Sequence, residues 1–219
     1  FFRRNYADFR HPAIPDDRME ELIARSSSVT DLFDRFARER RQETGCSLFL
    51  EKTPEHAFRM DDLIRQFPKS QIIFVVRDPR DGYRSAKHNP RYWHSLPESN
   101  PLGAYVETWI RSVNAYRSLR DQPYIFPLLY EGFCREPERK LQAVNEFLDL
   151  NTRERQLNPA SYGETQIAQS QGHTRLREPI TADTVGEWAN ELPSEEVCMI
   201  EEKAAEEMRM LGYSLSENQ

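Results

Sequence analysis

The fold is decided by residues 47–85, SLFLEKTPEHAFRMDDLIRQFPKSQIIFVVRDPRDGYRS. The pattern of apolar runs and polar segments predicts strand, loop, helix, turn, strand, loop and helix. The run IIFVV at residues 72–76 has no polar alternation, which is typical of a central parallel strand covered by helices on both faces. The shorter run LFL, within residues 46–50, predicts an earlier strand. The stretch therefore predicts an α/β fold with a mainly parallel central sheet flanked by helices.

Two cationic side chains follow the two predicted strands. Lys52 comes shortly after the run at residues 48–50, and Arg77 directly follows residues 72–76. In open α/β sheets, ligands bind beyond the carboxyl ends of the strands, so we expect Lys52 and Arg77 to face one crevice. Two fixed cations near the starts of the following helices favour a doubly charged anion such as a phosphate or a sulfate.

At these residues the chain resembles the sulfotransferases that use 3′-phosphoadenosine 5′-phosphosulfate (PAPS). The matching elements are Lys52-Thr53-Pro54 with His56, then Phe67-Pro68, then Arg77-Asp78-Pro79-Arg80-Asp81 with Ser85. The resemblance implies that Arg77 and Ser85, which lies eight residues later, hold the 3′-phosphate of the cofactor. It also implies a single domain with an architecture like that of the P-loop nucleotide kinases. The alternative interpretation is a surface ion pair between Arg77 and Asp81 that caps a helix.

Composition limits the class of protein. A chain of 219 residues can bury one sizeable core, so one domain over residues 1–219 is expected. The formal net charge of −6 argues against a nucleic-acid-binding protein, which needs a basic face. Three cysteines without paired spacing predict reduced thiols, a cytoplasmic location and no zinc site. No run approaches the roughly 20 apolar residues of a membrane span, and the oligomeric state stays open.

The start of the sequence carries a further expectation. It opens on Phe1 and Phe2 without an initiator methionine, and none of its eight glycines lies in a strand–loop–helix cradle. The PAPS-dependent sulfotransferases begin with a strand and a loop that binds the 5′-phosphosulfate end. We therefore expect a native protein that extends further at its N-terminus, and a sulfotransferase domain that lacks this strand and loop. A degenerate protein that has lost the loop is the alternative.

Apolar periodicity and capping signals predict the remaining elements. They are helices at residues 16–25, 31–41 (capped by Thr30), 102–119, 137–148 and 194–211, and a strand at residues 124–131. Pro127 cannot donate a hydrogen bond within a sheet, so its strand is expected at an edge or with a bulge. Residues 88–101 are rich in Pro, Asn and Ser, and we expect a loop over the active site that brings His88 or His94 near the acceptor.

The resemblance implies further cofactor contacts later in the chain. Tyr130 stands where the family has a tyrosine beside the adenine, and an aromatic ring suits that role. A core tyrosine without a ligand is the alternative. Arg175 and Arg177 are candidates for phosphate contacts from a basic loop that folds over the cofactor, and a glycine–polar–tryptophan element follows at residues 186–188.

The predicted reaction transfers a sulfuryl group from PAPS to an acceptor hydroxyl or amine, without a metal, and leaves 3′-phosphoadenosine 5′-phosphate (PAP). Fixed cations stabilise the charge that develops during such a transfer, and Lys52 is the candidate for that role. His56, expected in the first turn of a helix that Pro54 starts, is the candidate general base. A glutamate of the expected N-terminal extension is its rival.

Two other functions remain open at this point: a small-molecule kinase, and a nucleotide-binding module of the same fold without turnover. A kinase would need a Walker-type loop and a magnesium site, and the sequence shows neither. The acceptor class stays open between a carbohydrate, a peptide, a lipid and a secondary metabolite, because the substrate-facing loops carry no recognisable motif.

Overall fold

The computed structural model describes residues 15–151, 156 and 178–216 of the chain. The chain divides into two compact units, Phe1–Pro54 and Glu55–Gln219. The described part of the first unit is helical, and the second unit holds the sheet with the remaining helices. The expectation of one domain that lacks an N-terminal strand and loop stays a prediction.

The described elements follow the predicted order of helices and strands from residue 54 onward. The first unit contains α1 (Asp16–Ala24) and α2 (Val29–Thr44). After a 3₁₀ helix (Pro54–Phe58) come α3 (Met60–Gln66), β1 (Ile72–Val76), α4 (Pro79–Lys87), α5 (Pro90–Trp93), α6 (Pro101–Arg117), β2 (Ile125–Leu129), α7 (Tyr130–Arg135), α8 (Pro137–Phe147), α9 (Trp188–Glu191) and α10 (Ser194–Met210).

Local hydrogen bonds fix both ends of α2. The Ser28 side chain accepts a hydrogen bond from the N–H of Asp31 at 3.1 Å, which makes Ser28 the N-cap. The prediction that Thr30 caps this helix is wrong by two residues, because Ser28 supplies the same kind of oxygen earlier in the chain. Gly45 ends the helix with φ at 65°, a left-handed conformation that glycine adopts without steric cost.

The prediction of a strand at residues 46–50 is wrong, since the structure assigns no strand there. Leu48 is 49% exposed and Leu50 is 79% exposed, so neither side chain is covered. An apolar run becomes a strand only when a neighbouring strand takes up its backbone N–H and C=O groups. Among the described residues, the strands that pair are Ile72–Val76 and Ile125–Leu129.

The sheet consists of β1 and β2, which pair in parallel with Phe74 opposite Pro127 and Val76 opposite Leu129. This pairing, with helices packed against it, confirms the α/β class. The register advances one residue at a time on both strands, so Pro127 causes no bulge. As far as the structure describes the chain, β2 has β1 as its neighbour on one side only, which is the edge position that a proline requires.

Burial differs between the two faces of β1. Phe74 and Val76 are each 5% exposed, whereas Val75 between them is 58% exposed. Helices nevertheless lie on both faces of the sheet, as predicted, although Val75 itself is left largely uncovered. On one face the rings of Phe74 and Tyr116 of α6 stack with their centroids 4.7 Å apart, and on the other Phe126, the sheet partner of Ile73, packs against Phe147 of α8 at 5.4 Å.

Two long helices supply the centre of the core in the second unit. Val106 and Val113 of α6, with Ile200 and Met208 of α10, are fully buried. The apolar stripes predicted at residues 102–119 and 194–211 are confirmed as this core. Over the ranges that the structure describes, no helix combines the length and the apolar character that crossing a membrane demands.

The stretch at residues 88–101, predicted as a loop, contains the short helix α5. The Asn89 side chain accepts a hydrogen bond from the N–H of Tyr92 at 3.3 Å and caps this helix, and Pro90 occupies its first position. An asparagine followed by proline is read as a turn signal, but the same pair also starts a helix when the next residues are helical.

Candidate active site

The carboxyl ends of β1 and β2 bring Arg77 and Tyr130 together. Val76 and Leu129, the last residues of the two strands, are partners in the sheet, so the residues that follow them emerge side by side. The guanidinium carbon of Arg77 lies 4.7 Å from the centre of the Tyr130 ring, a distance typical of a cation–π contact. Burial raises the pKa of Tyr130 above its ordinary value, and the charge of Arg77 opposes that rise.

Arg77 is held from several directions. One of its terminal nitrogens donates to the carbonyl oxygen of Thr184 at 3.0 Å, and its own carbonyl oxygen accepts the indole N–H of Trp109 at 2.9 Å. Its Nε is buried and has no hydrogen-bond partner among the described residues. A buried donor without a partner costs free energy, so this side chain is positioned but not saturated.

Arg80 lies in a buried ionic network. Its guanidinium donates to Asp78 at 2.6 Å and to Glu201 of α10 at 2.5 Å, and it is 4% exposed. The Trp188 ring covers it, with the guanidinium carbon 3.9 Å from the ring centre. Burial would lower the pKa of Arg80, but the hydrogen bonds and charges of the two carboxylates outweigh burial and raise it. The network joins α4 to the last helix.

Asp81 binds backbone rather than a cation. The side chain is 1% exposed, and its two oxygens accept hydrogen bonds from the N–H of Gly186 at 2.6 Å and of Trp188 at 3.0 Å. The alternative interpretation, a surface ion pair between Arg77 and Asp81, is therefore wrong. Asp81 instead fixes the segment that supplies the Thr184 carbonyl to Arg77.

Glu131 continues this network from the end of β2. Its carboxylate accepts the N–H of Asp78 at 2.8 Å and the hydroxyl of Tyr213 at 3.0 Å. Burial, and then the charge of Glu131, raise the pKa of Tyr213 above its ordinary value. A cavity of about 490 Å³ borders these groups.

No role was predicted from the sequence for Arg80, Glu131 or Glu201. The signal for Glu201 was available, because it falls four residues after Val197 and three before Ala204, on the apolar stripe of the last helix. A carboxylate on a buried stripe needs a hydrogen-bonded partner. The identity of that partner could not be read from the sequence, since Arg80 lies 121 residues away.

Ser85 lies on α4 and is exposed. No hydrogen bond joins it to Arg77 in the described part of the chain. Ser85 borders a second cavity, of about 200 Å³, together with Gly82, Ala86, Asn89, Tyr92 and Tyr105. The roles of Arg77, Ser85 and Tyr130 in binding a cofactor stay predictions.

The two catalytic candidates belong to different units. Lys52 is exposed in the stretch without helix or strand that ends the first unit, and the crevice expected between it and Arg77 stays a prediction. His56 is half-buried in the 3₁₀ helix Pro54–Phe58, where an α-helix was expected, and its carbonyl oxygen accepts the N–H of Arg59 at 3.0 Å. Pro54 starts this helix, as predicted.

The two histidines that were expected near the acceptor have partners of their own within the second unit. The Nε2 atom of His88 lies 2.9 Å from Glu191, and the Nδ1 atom of His94 lies 2.6 Å from the carbonyl oxygen of Pro90. Arg175 and Arg177 lie outside the described residues. Within the described ranges, no three His, Cys, Asp or Glu side chains form a group suited to a metal ion.

The parallel sheet with its flanking helices defines the class as an α/β protein, and in open sheets of this class ligands bind beyond the carboxyl ends of the strands. Comparison with known protein families identifies the family within that class. Residues 2–154 match the model of the Sulfotransferase family, which is more than half of the chain. The chain belongs to the Sulfotransferase family.

Among curated proteins, the chain is 28% identical over 109 residues to the omega-hydroxy-beta-dihydromenaquinone-9 sulfotransferases of Mycobacterium bovis and Mycobacterium tuberculosis. That alignment covers 45% of this chain and 28% of theirs. The chain is also 29% identical over 91 residues to sulfotransferase 1C2 of Rattus norvegicus, covering 37% of this chain and 31% of the relative. The chain therefore spans less than a third of the length of these relatives.

Two solved structures share the fold. The sulfotransferase domain from the curacin biosynthetic pathway aligns with a TM-score of 0.66 at 17% identity, covering 86% of this chain and 69% of that one. Mouse sulfotransferase SULT7A1, solved in complex with PAP, aligns with a TM-score of 0.50 at 16% identity. That alignment covers 67% of this chain and 60% of the SULT7A1 chain. At these identities the likeness concerns the fold.

Proposed function

We propose that the protein transfers a sulfuryl group from PAPS to an acceptor hydroxyl or amine. Membership of the Sulfotransferase family over residues 2–154 is the observation that carries this proposal. The same membership favours sulfuryl transfer over the small-molecule kinase. When bound, PAPS supplies the sulfuryl group and PAP is the leaving group, while the residues of this chain bind, orient and neutralise charge.

The strand ends suit the phosphate and the base of such a nucleotide. The buried Nε of Arg77 lacks a partner among the described residues and is the donor that a 3′-phosphate would satisfy. The guanidinium of Arg77 covers one face of the Tyr130 ring, so an adenine would meet the opposite face or the edge. Ser85 completes the proposed contacts to the 3′-phosphate, and Arg175 and Arg177 stay candidates for phosphate contacts.

Lys52 and His56 are the proposed catalytic residues. A lysine ammonium can neutralise the charge that develops on the transferred group and on the leaving phosphate. A neutral imidazole can take the proton of an acceptor hydroxyl.

We further propose a hydroxyl-bearing small molecule or lipid as the acceptor, and the cytoplasm as the location. The mycobacterial relatives are named for an omega-hydroxy dihydromenaquinone acceptor, which supports a hydroxyl of this general kind. The three cysteines are all free thiols, with Cys134 buried and Cys46 and Cys198 exposed, as reducing compartments favour. Product analysis with a panel of carbohydrate, peptide, lipid and small-molecule acceptors tests the acceptor class.

The experiment that tests the function measures PAP binding by calorimetry. Loss of a charge-assisted contact in Arg77→Ala should weaken PAP binding by roughly 1.5–3 kcal/mol. The matched control is Arg117→Ala, which removes an exposed guanidinium that pairs with Glu206 at the surface. An Arg77→Ala protein that binds PAP as tightly as the parent contradicts the assignment.

The second candidate function, a nucleotide-binding module without turnover, predicts the same PAP binding. It is distinguished by incubation with PAPS and the acceptor panel, because a module of this kind binds PAP but forms no sulfated product.

A further inference from the structure

The cavity beside Ser85 is lined by more polar groups than the proposed function uses. It has a volume of about 200 Å³ and is bordered by Gly82, Ser85, Asn89, Tyr92 and Tyr105, among others. The Asn89 amide oxygen already accepts the N–H of Tyr92 as a helix cap. The hydroxyl of Tyr105, which comes from the separate helix α6, therefore stands out as a further donor in this cavity.

Tyr105 reaches this position only because residue 82 is a glycine. A Cβ atom added to Gly82 would overlap the hydroxyl oxygen of Tyr105 and lie 3.2 Å from its Cζ. The ring is not free to swing aside, since Tyr83 packs on it at 5.5 Å between centroids and Tyr92 meets it edge-on at 6.4 Å. A glycine within a helix costs about 1 kcal/mol of stability relative to alanine. In α4 this cost accompanies the close approach of Tyr105 to Gly82.

The hydroxyl of Tyr105 also lies within range of the charge on Arg77. Burial raises its pKa most, and the neighbouring Tyr92, Asp78 and Asp81 raise it further, while Arg77 lowers it. The two aspartates are engaged by Arg80 and by backbone N–H groups. A tyrosine hydroxyl is already protonated at neutral pH at its ordinary pKa of about 10, so Tyr105 is a hydrogen-bond donor there.

We infer that Tyr105 is a further ligand of the phosphate that Arg77 and Ser85 are proposed to bind. Tyr105 shares a cavity with Ser85 and packs directly against Gly82 of the helix that follows Arg77. Gly82 serves as a positioning residue, because its missing side chain leaves the hydroxyl its place. The inference rests on the proposed function, since it assumes a nucleotide 3′-phosphate at this edge.

The test compares PAP with adenosine 5′-phosphate, which lacks the 3′-phosphate, by calorimetry on the parent and on Tyr105→Phe. Losing one hydrogen bond to a charged group should weaken PAP binding about tenfold. Binding of adenosine 5′-phosphate should stay unchanged. The matched control is Tyr83→Phe, which removes a hydroxyl from the same aromatic cluster that contacts Glu196 instead of the cavity.

A second variant checks the role of Gly82. Gly82→Ala should weaken PAP binding in the parent by displacing the Tyr105 hydroxyl. In the Tyr105→Phe background, the same substitution should cost little further, because the overlapping oxygen is gone. Fully additive losses from the two substitutions would overturn the positioning role.

The outcomes separate the inference from the function on which it rests. If Arg77→Ala weakens PAP binding while Tyr105→Phe does not, the inference about Tyr105 fails and the proposed function stands. If Tyr105→Phe weakens PAP and adenosine 5′-phosphate equally, the hydroxyl does not contact the 3′-phosphate and the inference also fails. If the parent protein does not bind PAP, both the proposed function and the inference about Tyr105 fail.

Discussion

At the scale of single residues, the two arginines of the motif at residues 77–81 have opposite environments. Arg80 is saturated, with carboxylates from Asp78 and Glu201 and the Trp188 ring around it. Arg77 is anchored by one hydrogen bond to Thr184 and keeps a buried donor without a described partner. One arginine therefore stabilises the fold, and the other is available to a ligand.

This contrast predicts different consequences of removing each guanidinium. Arg80→Ala leaves the buried carboxylates of Asp78 and Glu201 without their cation. Breaking a buried pair from one side typically costs about 3–5 kcal/mol, so the free energy of unfolding should fall by an amount in this range. Urea unfolding monitored by circular dichroism measures the change.

Arg117→Ala is again the control, since exposed ion pairs contribute about 0–1 kcal/mol. Arg77→Ala should destabilise the protein much less than Arg80→Ala, while it alone removes the contact proposed for PAP. Equal stability losses for Arg77→Ala and Arg80→Ala would contradict the division of roles between the two residues.

At the scale of elements, hydrogen bonds and ion pairs join α4 to the segment that precedes α10 and to the start of α10. Asp81 accepts the N–H groups of Gly186 and Trp188. Farther along the same helix, Arg84 pairs with Glu187 and Glu191, and Lys87 pairs with Glu196 at 2.9 Å. Because the segment at residues 184–188 also supplies the carbonyl that holds Arg77, the attachment of this segment sets the orientation of that side chain.

We therefore expect Asp81→Ala to release the segment. Two half-buried N–H groups would lose their acceptor, at a cost of about 1 kcal/mol for each. Hydrogen exchange should report faster exchange at the amides of Gly186 and Trp188, while amides in the middle of α6 keep their protection. PAP binding should weaken as well, since Arg77 would lose its fixed carbonyl partner.

Asp121→Ala is the matched control, because its side chain is 90% exposed and pairs only with the adjacent Arg120. Asp81→Asn is a graded variant that keeps one acceptor oxygen, and it should give an intermediate effect. Unchanged exchange at Gly186 and Trp188 in Asp81→Ala would show that the segment is held by other contacts.

At the scale of the whole molecule, Lys52 and His56 are the residues proposed for the chemistry. Lys52 closes the first unit, and His56 and Arg77 belong to the second. If Lys52 stabilises the transition state, Lys52→Ala should lower kcat more than it raises KM for PAPS. If His56 is the base, His56→Asn should lower turnover by about 10²–10⁴-fold at saturating acceptor, with little change in PAP affinity.

Steady-state kinetics of the parent protein and of both variants measures these effects. Lys69→Ala, which removes an exposed lysine, is the control. An effect of Lys52→Ala on KM alone reassigns Lys52 to ground-state binding of the cofactor. A His56→Asn variant that retains most of its turnover shows that the histidine only positions the acceptor, because an asparagine amide cannot take a proton at neutral pH.

The sequence predicts some of this molecule well and some of it badly, for physical reasons. The apolar run before Arg77 and the proline-limited strand before Tyr130 were both found, because buried parallel strands have a strong local signal. The run at residues 48–50 was wrongly predicted as a strand, because pairing depends on a neighbour that local sequence does not show. The Tyr105–Gly82 contact was missed, since it forms between two helices.

The bond between Arg80 and Glu201 has a consequence for how the chain reaches its native state. Arg80 and Glu201 are 121 residues apart in the sequence. Asp81 and Trp188, which are also joined by a hydrogen bond, are 107 residues apart. Non-local contacts of this kind must wait for a large loop to close, and they slow folding relative to local contacts. During synthesis, the motif at residues 77–81 leaves the ribosome long before its partners exist. The charged motif therefore stays hydrated until the last helix emerges, and only then does the carboxyl edge of the sheet acquire its final form.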